Sequence, residues 1–224
     1  MNLKNLVRDF VFGMEDGLVS NLGLVLGVYI GGGGKFAIVL AGLASMFAGA
    51  FSMSAGSYLS AKSQREVYEN EIESTRKELK KNPRRCISEM KTILFQEGLA
   101  KKDIDNLFKN SPKAKHPEFV CNYMVQRKVG ISAKKLEFPF KNAFAMFFSF
   151  LVGSSFPIAP FIFLDEMTAS IVAVILTIIA LFLVGLTKST FTKRSGIKSG
   201  IEIVIVGLIA GTIGYVVGLI LSMF

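Results

Sequence analysis

Long apolar stretches alternate with polar segments along this chain. Five stretches reach or approach about 20 residues, the length with which an α-helix crosses about 30 Å of hydrocarbon. They run over residues 10–32, 36–58, 140–163, 169–186 and 201–224. The pattern predicts an all-α, polytopic membrane protein with five transmembrane helices. A hydrophobic content of 51% agrees with that class better than with a soluble core of this length.

One long polar segment separates the second apolar stretch from the third. It continues the second helix without Gly or Pro as far as Asn82-Pro83, which we expect to end that helix and to cap and start the next. An apolar stripe predicts this next helix, which Gly98 ends: Ile87, Met90 and Leu94. Two shorter helices are predicted, around Asp103 to Phe108 and from Pro117 to Lys128. The predicted domains are therefore residues 1–59 (helices one and two), 60–138 (a small helical domain) and 139–224 (helices three to five).

The basic residues are distributed unevenly between the two sets of connections. Of the 26 Lys and Arg residues, only Lys35 lies in the connections that follow helices one and three. The others precede helix one, occupy residues 60–141 or lie between helices four and five. The positive-inside rule therefore predicts a cytoplasmic N-terminus, a cytoplasmic 60–138 domain and a C-terminus outside. The basic doublets of this domain are interpreted as its solvated surface, and no nucleic acid is expected as a partner.

Two adjacent carboxylates, Glu15 and Asp16, interrupt the first apolar stretch. A charge that faces lipid at the centre of a helix costs about 2.5 to 3.5 kcal/mol, so each of them needs a partner, a proton or a bound cation. Asp9 and Asp16 are two helical turns apart and share one face. Small and polar residues extend this face: Ser20, Gly23 and Gly27. Such a narrow polar face is typical of a helix that lines a cation path.

Other candidate residues leave alternatives open. Glu15 points about 100° away from the face of Asp16, and one interpretation pairs it with Arg8 or with a basic residue of the 60–138 domain. Met53, in helix two, is ordinarily a packing residue. Small residues that recur every fourth position predict close helix packing, within or between protomers: Ala44, Ala48, Ser52 and Gly56 in helix two, Gly23, Gly27 and Gly31 in helix one, and several glycines in helix five. Pro157 and Pro160 bend or break helix three, as a packing kink or as a gate.

The domain between helices two and three contains both cysteines and the single histidine. Cys86 and Cys121 are expected to stay reduced on the cytoplasmic side, so no disulfide is predicted. His116 precedes a proline in a lysine-rich turn and is expected to be exposed. Neither Cys-x-x-Cys nor His-x-x-x-His spacing occurs in the sequence, which gives no support to a strong zinc site.

Four segments together resemble the vacuolar iron transporter family: RDFVFGMEDGLVSNLGLVLGV, AGAFSMSAGSYLSAKSQ, GSSFPIAPFIF and KRSGIKSGIE. The resemblance covers nearly the whole chain. It implies a homodimer that exports Fe(II), or a related divalent metal, along a path between the two copies of helix one. In that path the family pairs the aspartate at Asp16 with the methionine at Met53, and Asp9 belongs to the same motif. A hard carboxylate beside a soft thioether suits a borderline metal such as Fe(II).

The chain also departs from the family pattern. Ser45 stands where these transporters usually have a glutamate. Among the metal-binding positions of the 60–138 domain, three match the family: Glu78, Glu89 and Met124. Three others stand where carboxylates are expected: Thr75, Cys86 and Lys128. Cys86 is either a thiolate ligand or a small buried residue. Since an ammonium repels a bound cation, Lys128 predicts weak metal binding by this domain.

The sequence thus favours a secondary transporter, without enzymatic activity or a resident cofactor. No nucleotide-binding motif is recognised, so the expected energy source is an ion gradient, by proton exchange, with Asp16 holding either the metal or a proton. The expected partners are the lipid bilayer, a divalent metal ion, protons and a second copy of the chain. The expected location is the cell membrane in a prokaryote or a vacuole-type membrane in a eukaryote. The alternative is a non-transporting membrane protein of the same fold whose basic domain binds a partner or anionic lipid.

Overall fold

A computed structural model describes residues 3–110, 116–129, 139–193 and 195–223. All regular structure in these ranges is α-helical, which confirms the predicted fold class. The helices are α1 (Leu3–Ile30), α2 (Lys35–Lys81), α3 (Pro83–Gln96), α4 (Lys101–Asn110), α5 (Pro117–Val129), α6 (Pro139–Phe163), α7 (Glu166–Thr192) and α8 (Gly196–Leu221). Five of them, α1, α2, α6, α7 and α8, are long and apolar enough to cross a membrane. These are the five helices that the apolar stretches predict.

The chain divides into two compact units. The first, which we call the membrane unit, contains residues 1–60 and 138–224, and the second, the insert unit, contains residues 61–137. Helix α2 belongs to both, since it is a single helix of 47 residues. At a rise of 1.5 Å per residue its length is about 70 Å.

Helix α1 packs against α6, α7 and α8 in the membrane unit. Two apolar clusters hold these helices together. Cluster 1 joins α1, α2, α6 and α7: Leu22, Val25, Ile38, Ile158, Phe161 and Ala173. Cluster 2 joins α1, α7 and α8: Val11, Leu18, Ala180, Leu181, Val184 and Ile203. Each of these helices is apolar on the face that packs into the bundle and also on exposed faces, as expected for helices surrounded by lipid.

Glycines set the closest helix contacts. A Cβ added to Gly153 of α6 would lie 2.5 Å from the Met14 carbonyl oxygen of α1. A Cβ on Gly27 would lie 3.0 Å from the Gly214 carbonyl oxygen of α8, and one on Gly214 would overlap the Gly23 carbonyl. The glycines of helices one and five therefore pack against each other within one protomer. The sequence left open whether this packing was within or between protomers.

Helix α6 is continuous through its two internal prolines, so the alternative in which they break it is wrong. Pro157 and Pro160 are both buried. A proline inside a helix has no N–H for the carbonyl four residues earlier, and that carbonyl loses its helical partner. Pro157 therefore leaves the Gly153 carbonyl, and Pro160 the Phe156 carbonyl, without a backbone donor in the helix.

Two hydrogen bonds join the first residue of α2 to the start of α7 and to the connection before it. The Lys35 backbone N–H donates to Glu166 Oε1 at 2.7 Å, and Lys35 Nζ donates to the Leu164 carbonyl at 2.9 Å. The Glu166 carboxylate thereby satisfies one of the unpaired N–H groups at the start of α2. This link fixes the N-terminal end of α2 in the membrane unit.

The helix ends follow the predicted chemistry in most places. Asp165 caps α7 by accepting from the Thr168 N–H at 3.0 Å, and this hydrogen bond lowers the pKa of the Asp165 carboxyl. Gly98 follows α3 with a φ of 95°. Asn82 is the N-cap residue of α3 and Pro83 its first helical residue, as predicted, although the Asn82 side chain makes no capping hydrogen bond. The Asn82 backbone carbonyl accepts from the Cys86 N–H at 3.2 Å, and Pro83 has no N–H to leave unpaired.

The insert unit has a small apolar core between α3, α4 and α5: Cys86, Met90, Leu94, Ile104, Phe108, Val120 and Met124. The two cysteines are buried and free. The Cys121 thiol donates to the Ile72 carbonyl at 3.6 Å, and burial raises the pKa of this thiol. His116 is exposed, as predicted.

Candidate functional site

Helix α1 carries the two aspartates in different surroundings. Asp9 is buried, with 4% of its surface exposed. Its Oδ1 accepts hydrogen bonds from Arg8 Nε at 3.1 Å and from the Arg8 guanidinium Nη2 at 3.0 Å. This carboxylate is therefore engaged by a cation of the protein itself. Hydrogen bonds between a guanidinium and a carboxylate are stronger than those between neutral groups.

Asp16 is half-buried on the same face. The Ser20 hydroxyl donates to the Asp16 backbone carbonyl and not to its carboxylate. In the described part of the chain, no ion pair or side-chain hydrogen bond is found for the Asp16 carboxylate. Asp16 thus differs from Asp9, whose carboxylate is paired with Arg8.

The predicted polar face of α1 does not stay open along its whole length. Gly23 and Gly27 lie on this face, but they pack against α8 at Ala210 and Gly214. The expectation that these two glycines extend a path is therefore corrected. The part of the face that α8 leaves accessible contains Asp16 and Ser20.

Glu15 lies among charged side chains from two other helices. Lys188 of α7 is the cation that interacts with it most strongly, and Glu202 of α8 is a second carboxylate nearby. The partner expected from the sequence was Arg8 or a basic residue of the 60–138 domain, and the structure adds Lys188 as a cation near Glu15. Helices α1 and α8 run in parallel, with Val19 beside Gly207, so Glu15 and Glu202 lie at about the same level one turn earlier.

Met53 is half-buried on α2. Two residues before it, the Phe51 ring contacts the Phe147 ring of α6. Helices α1 and α2 meet near their connecting turn, where a Cβ on Gly42 would lie 3.3 Å from Val25 Cγ1. From that contact, Asp16 is about 14 Å along α1 and Met53 is about 17 Å along α2. The two predicted ligands therefore lie at similar depth. Within one protomer, no described contact joins them.

One face of α2 stays uncovered in the protomer. Its small residues are all exposed: Ala44, Ala48, Ser52 and Gly56. A Cβ on Gly56 would meet nothing within 4 Å. Ser45, which replaces the family's glutamate, is half-buried beside this face.

The sequence analysis did not identify Asn21, a further polar residue of α1. Asn21 is fully buried, and its Nδ2 donates to Ser154 Oγ of α6 at 2.9 Å. Ser154 is also fully buried and donates to the Phe150 carbonyl at 2.8 Å. The available signal was an asparagine inside an apolar stretch, since polar residues in membrane helices usually face the bundle interior.

The predicted metal-binding positions of the insert unit differ in how deeply they are buried. Thr75, Cys86 and Met124 are buried, with at most 1% of their surfaces exposed. Cys86 and Met124 belong to the apolar core, where a thiolate would be poorly solvated. The structure thus favours the packing interpretation of Cys86. The Lys128 side chain lies outside the described residues.

The two glutamates of that set are more accessible. Glu78 lies 3.9 Å from Arg85 Nε, and Glu89 is half-buried. Glu78 and Glu73 line one polar cleft of about 570 Å³ together with cations: Lys77, Lys81 and Arg85. Since Lys77 pairs with Glu73 at 2.7 Å, both carboxylates of the cleft have a cation beside them. Across the described residues, no group of three or more His, Cys, Asp or Glu side chains is placed to share a metal ion.

Comparison with known proteins places the chain in a family. Residues 7–219 match the VIT family model. Vacuolar iron transporter 1 of Arabidopsis thaliana is 27% identical over 211 residues, which cover 94% of this chain and 84% of the relative. Vacuolar iron transporter 1 of Tulipa gesneriana is 29% identical over 212 residues, with 94% and 85% covered. Protein CCC1 of Saccharomyces cerevisiae (strain ATCC 204508 / S288c) is 25% identical over 213 residues, with 91% and 65% covered.

These matches agree with the five apolar helices and with the resemblance of the α1 and α2 motifs, and the match of the family model extends over both units. The chain is an integral membrane protein of the VIT family.

Proposed function

We propose that this protein is a secondary transporter that moves Fe(II), or a related divalent metal, out of the cytoplasm. The observation that carries the proposal is the half-buried Asp16 carboxylate on a membrane-spanning helix. A carboxylate at this depth is costly unless it binds a cation or a proton. The relatives whose names describe vacuolar iron transporters support iron as the metal.

The transporting unit in this proposal is a homodimer with the path between two copies of α1. Asp16 and Met53 lie at similar depth and are both half-buried, and the small-residue face of α2 is uncovered. A second copy that packs on this face would enclose the two side chains. It would also bring a second carboxylate and a second thioether, which a single protomer lacks. Four such ligands suit Fe(II) better than the hard ions Ca²⁺ and Mg²⁺.

The coupling ion in this proposal is the proton. Asp16 binds either a metal or a proton, and a group that cannot hold both at once makes the two flows mutually dependent. Metal leaves the cytoplasm as protons enter it. The proposed orientation has the N-terminus in the cytoplasm and the C-terminus outside, in agreement with the positions of the basic residues. The membrane would be of vacuole type in a eukaryote and the cell membrane in a prokaryote.

Metal flux in proteoliposomes tests the proposal. The purified full-length protein is reconstituted, Fe(II) is kept reduced, and its entry is followed with an internal fluorescent chelator. We expect flux that increases when the lumen is more acidic than the outside and proton movement in the opposite direction. Protein-dependent Fe(II) flux that ignores the pH gradient would contradict proton exchange and leave the transport itself standing. No flux of Fe(II), Mn(II) or Zn(II) would contradict the transporter.

The second candidate is a non-transporting protein of the same fold, whose basic insert binds a partner or anionic lipid. The paired carboxylates of the polar cleft and the apolar core at Cys86 and Met124 favour it, because the insert is then not arranged for metal. Asp16 and Met53 oppose it. A protein without flux that binds vesicles containing anionic lipid would support this candidate.

A further inference from the structure

Two polar side chains of the membrane unit are completely buried and have an oxygen without a hydrogen bond. They are Asn21 of α1 and Thr177 of α7, each with 0% exposure. Among the described residues, neither Asn21 Oδ1 nor Thr177 Oγ1 has a hydrogen-bond partner. A buried hydroxyl or amide without a partner costs about 1–3 kcal/mol by protein mutation data. Two such groups in one helix bundle require an explanation.

The amide of Asn21 has only one reasonable orientation. Its Nδ2 lies 3.3 Å from the Gly17 carbonyl and 2.9 Å from Ser154 Oγ. A carbonyl only accepts, so the nitrogen must face Gly17. This fixes Oδ1 as the atom that lacks a partner, and what it lacks is a donor.

Helix α6 supplies a second acceptor beside Asn21. Ser154, the partner of Asn21, follows Gly153, whose carbonyl has lost its helical donor to Pro157. Gly153 faces α1, since a Cβ there would contact Met14. The contact between α1 and α6 therefore contains Asn21 Oδ1 and a carbonyl whose helical donor is replaced by Pro157.

Thr177 lies at the same level of the bundle. On α1, Asn21 lies between Leu18 of cluster 2 and Leu22 of cluster 1. On α7, Thr177 is one turn from Ala173 of cluster 1 and one turn from the cluster 2 residues Ala180 and Leu181. Both side chains thus occupy the seam where the two apolar clusters meet. Helices α1, α6 and α7 pack against one another in pairs.

We propose that a water molecule binds in this seam and links α1, α6 and α7. A water donates two hydrogen bonds, which match the two acceptors Asn21 Oδ1 and the Gly153 carbonyl. It accepts one, which matches the Thr177 hydroxyl. Three hydrogen bonds are the usual number for a buried water. The site contains no charged side chain, so it is unsuited to a divalent metal and is separate from Asp16, which faces about 140° away on α1.

The water gives three transmembrane helices a bridge that can break and form again without exposing a polar group to lipid. It lies beside Pro157, where α6 has lost a helical hydrogen bond and bends most easily. In a protein whose helices move during a reaction cycle, this seam is a place where α6 can change its angle to α1 and α7.

The variant Thr177→Val tests the proposal, because it keeps the shape of the side chain and removes only the hydroxyl. If the hydroxyl donates to a bound water, the thermal unfolding midpoint of the full-length protein should fall by roughly 2–4 °C. If no water is bound, the hydroxyl is an unsatisfied group, and its replacement by a methyl group should leave the midpoint unchanged or raise it. Thr187→Val is the matched control, since its exposed hydroxyl on the same helix donates to the Leu183 carbonyl.

Two further measurements use the same samples. Radiolytic hydroxyl labelling modifies side chains next to bound water even when they are buried, so Pro157 should be labelled in the wild type and less in Thr177→Val. Absence of labelling at the seam in the wild type would overturn the proposal. So would an unfolding midpoint that Na⁺ raises relative to choline in the wild type but not in Thr177→Val, because that result identifies a cation in place of the water.

Discussion

At the scale of residues, the chemistry of the site depends on which polar groups the protein already satisfies. Asp9 is held by Arg8, and the Ser20 hydroxyl is used by a backbone carbonyl. Glu15 interacts with Lys188. Asp16 is therefore the α1 carboxylate best placed to exchange ligands. This difference leads to a prediction for Asp16, and the proposed thioether ligand leads to one for Met53.

Asp16→Asn keeps the size of the side chain but removes its charge and its proton site. Fe(II) flux in proteoliposomes should fall to near background, while the protein elutes from size-exclusion chromatography as the wild type does. Asp103→Asn is the control, because it removes one carboxylate from the exposed first turn of α4. Wild-type flux in Asp16→Asn would remove this carboxylate from the mechanism.

Met53→Leu preserves volume and apolarity, so the free energy of unfolding should change by less than about 1.5 kcal/mol. If the thioether is a ligand, the ratio of Fe(II) flux to Mn(II) flux should decrease, because manganese gains less from a sulfur ligand. Met46→Leu on the same helix serves as control, since Met46 packs against cluster 1. An unchanged flux ratio in Met53→Leu would return this residue to a packing role.

At the scale of elements, glycine positions decide how closely α1 approaches its neighbours. The α1 and α8 backbones touch at Gly23, Gly27, Gly214 and Gly218, and a Cβ on either of the two α8 glycines would overlap the α1 backbone. The exposed face of α2 has equally small residues but no neighbour in the protomer. The same sequence pattern thus has two different structural consequences.

Gly214→Ala should destabilise the protein, because the new Cβ overlaps the Gly23 carbonyl, a backbone atom that cannot move alone. Gly211→Ala is matched in helix and residue type, but its nearest neighbour is the flexible Leu22 side chain at 3.3 Å. Thermal unfolding in detergent should show a clearly lower midpoint for Gly214→Ala than for Gly211→Ala. Equal midpoints would contradict the close contact between the Gly214 and Gly23 backbones.

At the scale of the whole molecule, the two units contribute differently to the proposed transport. The membrane unit contains Asp16 and Met53, and the insert unit has buried neutral side chains at Thr75 and Cys86, where the family has carboxylates. The proposed dimer would complete the membrane site. The burial of these two neutral side chains agrees with the prediction that the insert binds metal weakly.

Gly56→Leu tests the dimer. The protomer should fold normally, since a Cβ at Gly56 meets nothing within 4 Å. A bulky side chain on the small-residue face should nevertheless shift the protein from dimer to monomer in multi-angle light scattering. Ile209→Phe adds bulk to an exposed position of α8 and serves as control. A Gly56→Leu protein with unchanged mass would show that a second copy does not pack on this face.

Lys128→Glu tests the metal affinity of the insert in the full-length protein. It replaces a repulsive ammonium with a carboxylate at a position where the family has one, so calorimetric titration with Zn(II) should show tighter binding than in the wild type. Lys109→Glu makes the same charge change elsewhere in the insert, at the end of α4, and should have a smaller effect. Tight binding at several sites by the unmodified protein would contradict the assignment of these positions.

The sequence by itself determined the helical elements and the family. Apolar stretches of membrane-spanning length fix five helices, because backbone groups in lipid must be satisfied within a segment. Asn82-Pro83 and Gly98 fixed the ends of helices in the insert through local backbone preferences. Asp9 and Asp16 were candidates because charged groups are expensive in an apolar helix, whereas Met53 became a candidate only through the resemblance to the family.

Only the tertiary structure decided what each of these residues contacts. The glycines of α1 were predicted to line a path, yet two of them pack on α8. Lys188, a cation near Glu15, is far away from it in sequence. The apolar pattern assigned no role to Asn21, whose hydrogen bond to Ser154 shows that it faces the bundle interior. A helical pattern gives the angle of a side chain about its own helix, whereas the partner at that angle depends on which helices pack there and in which register.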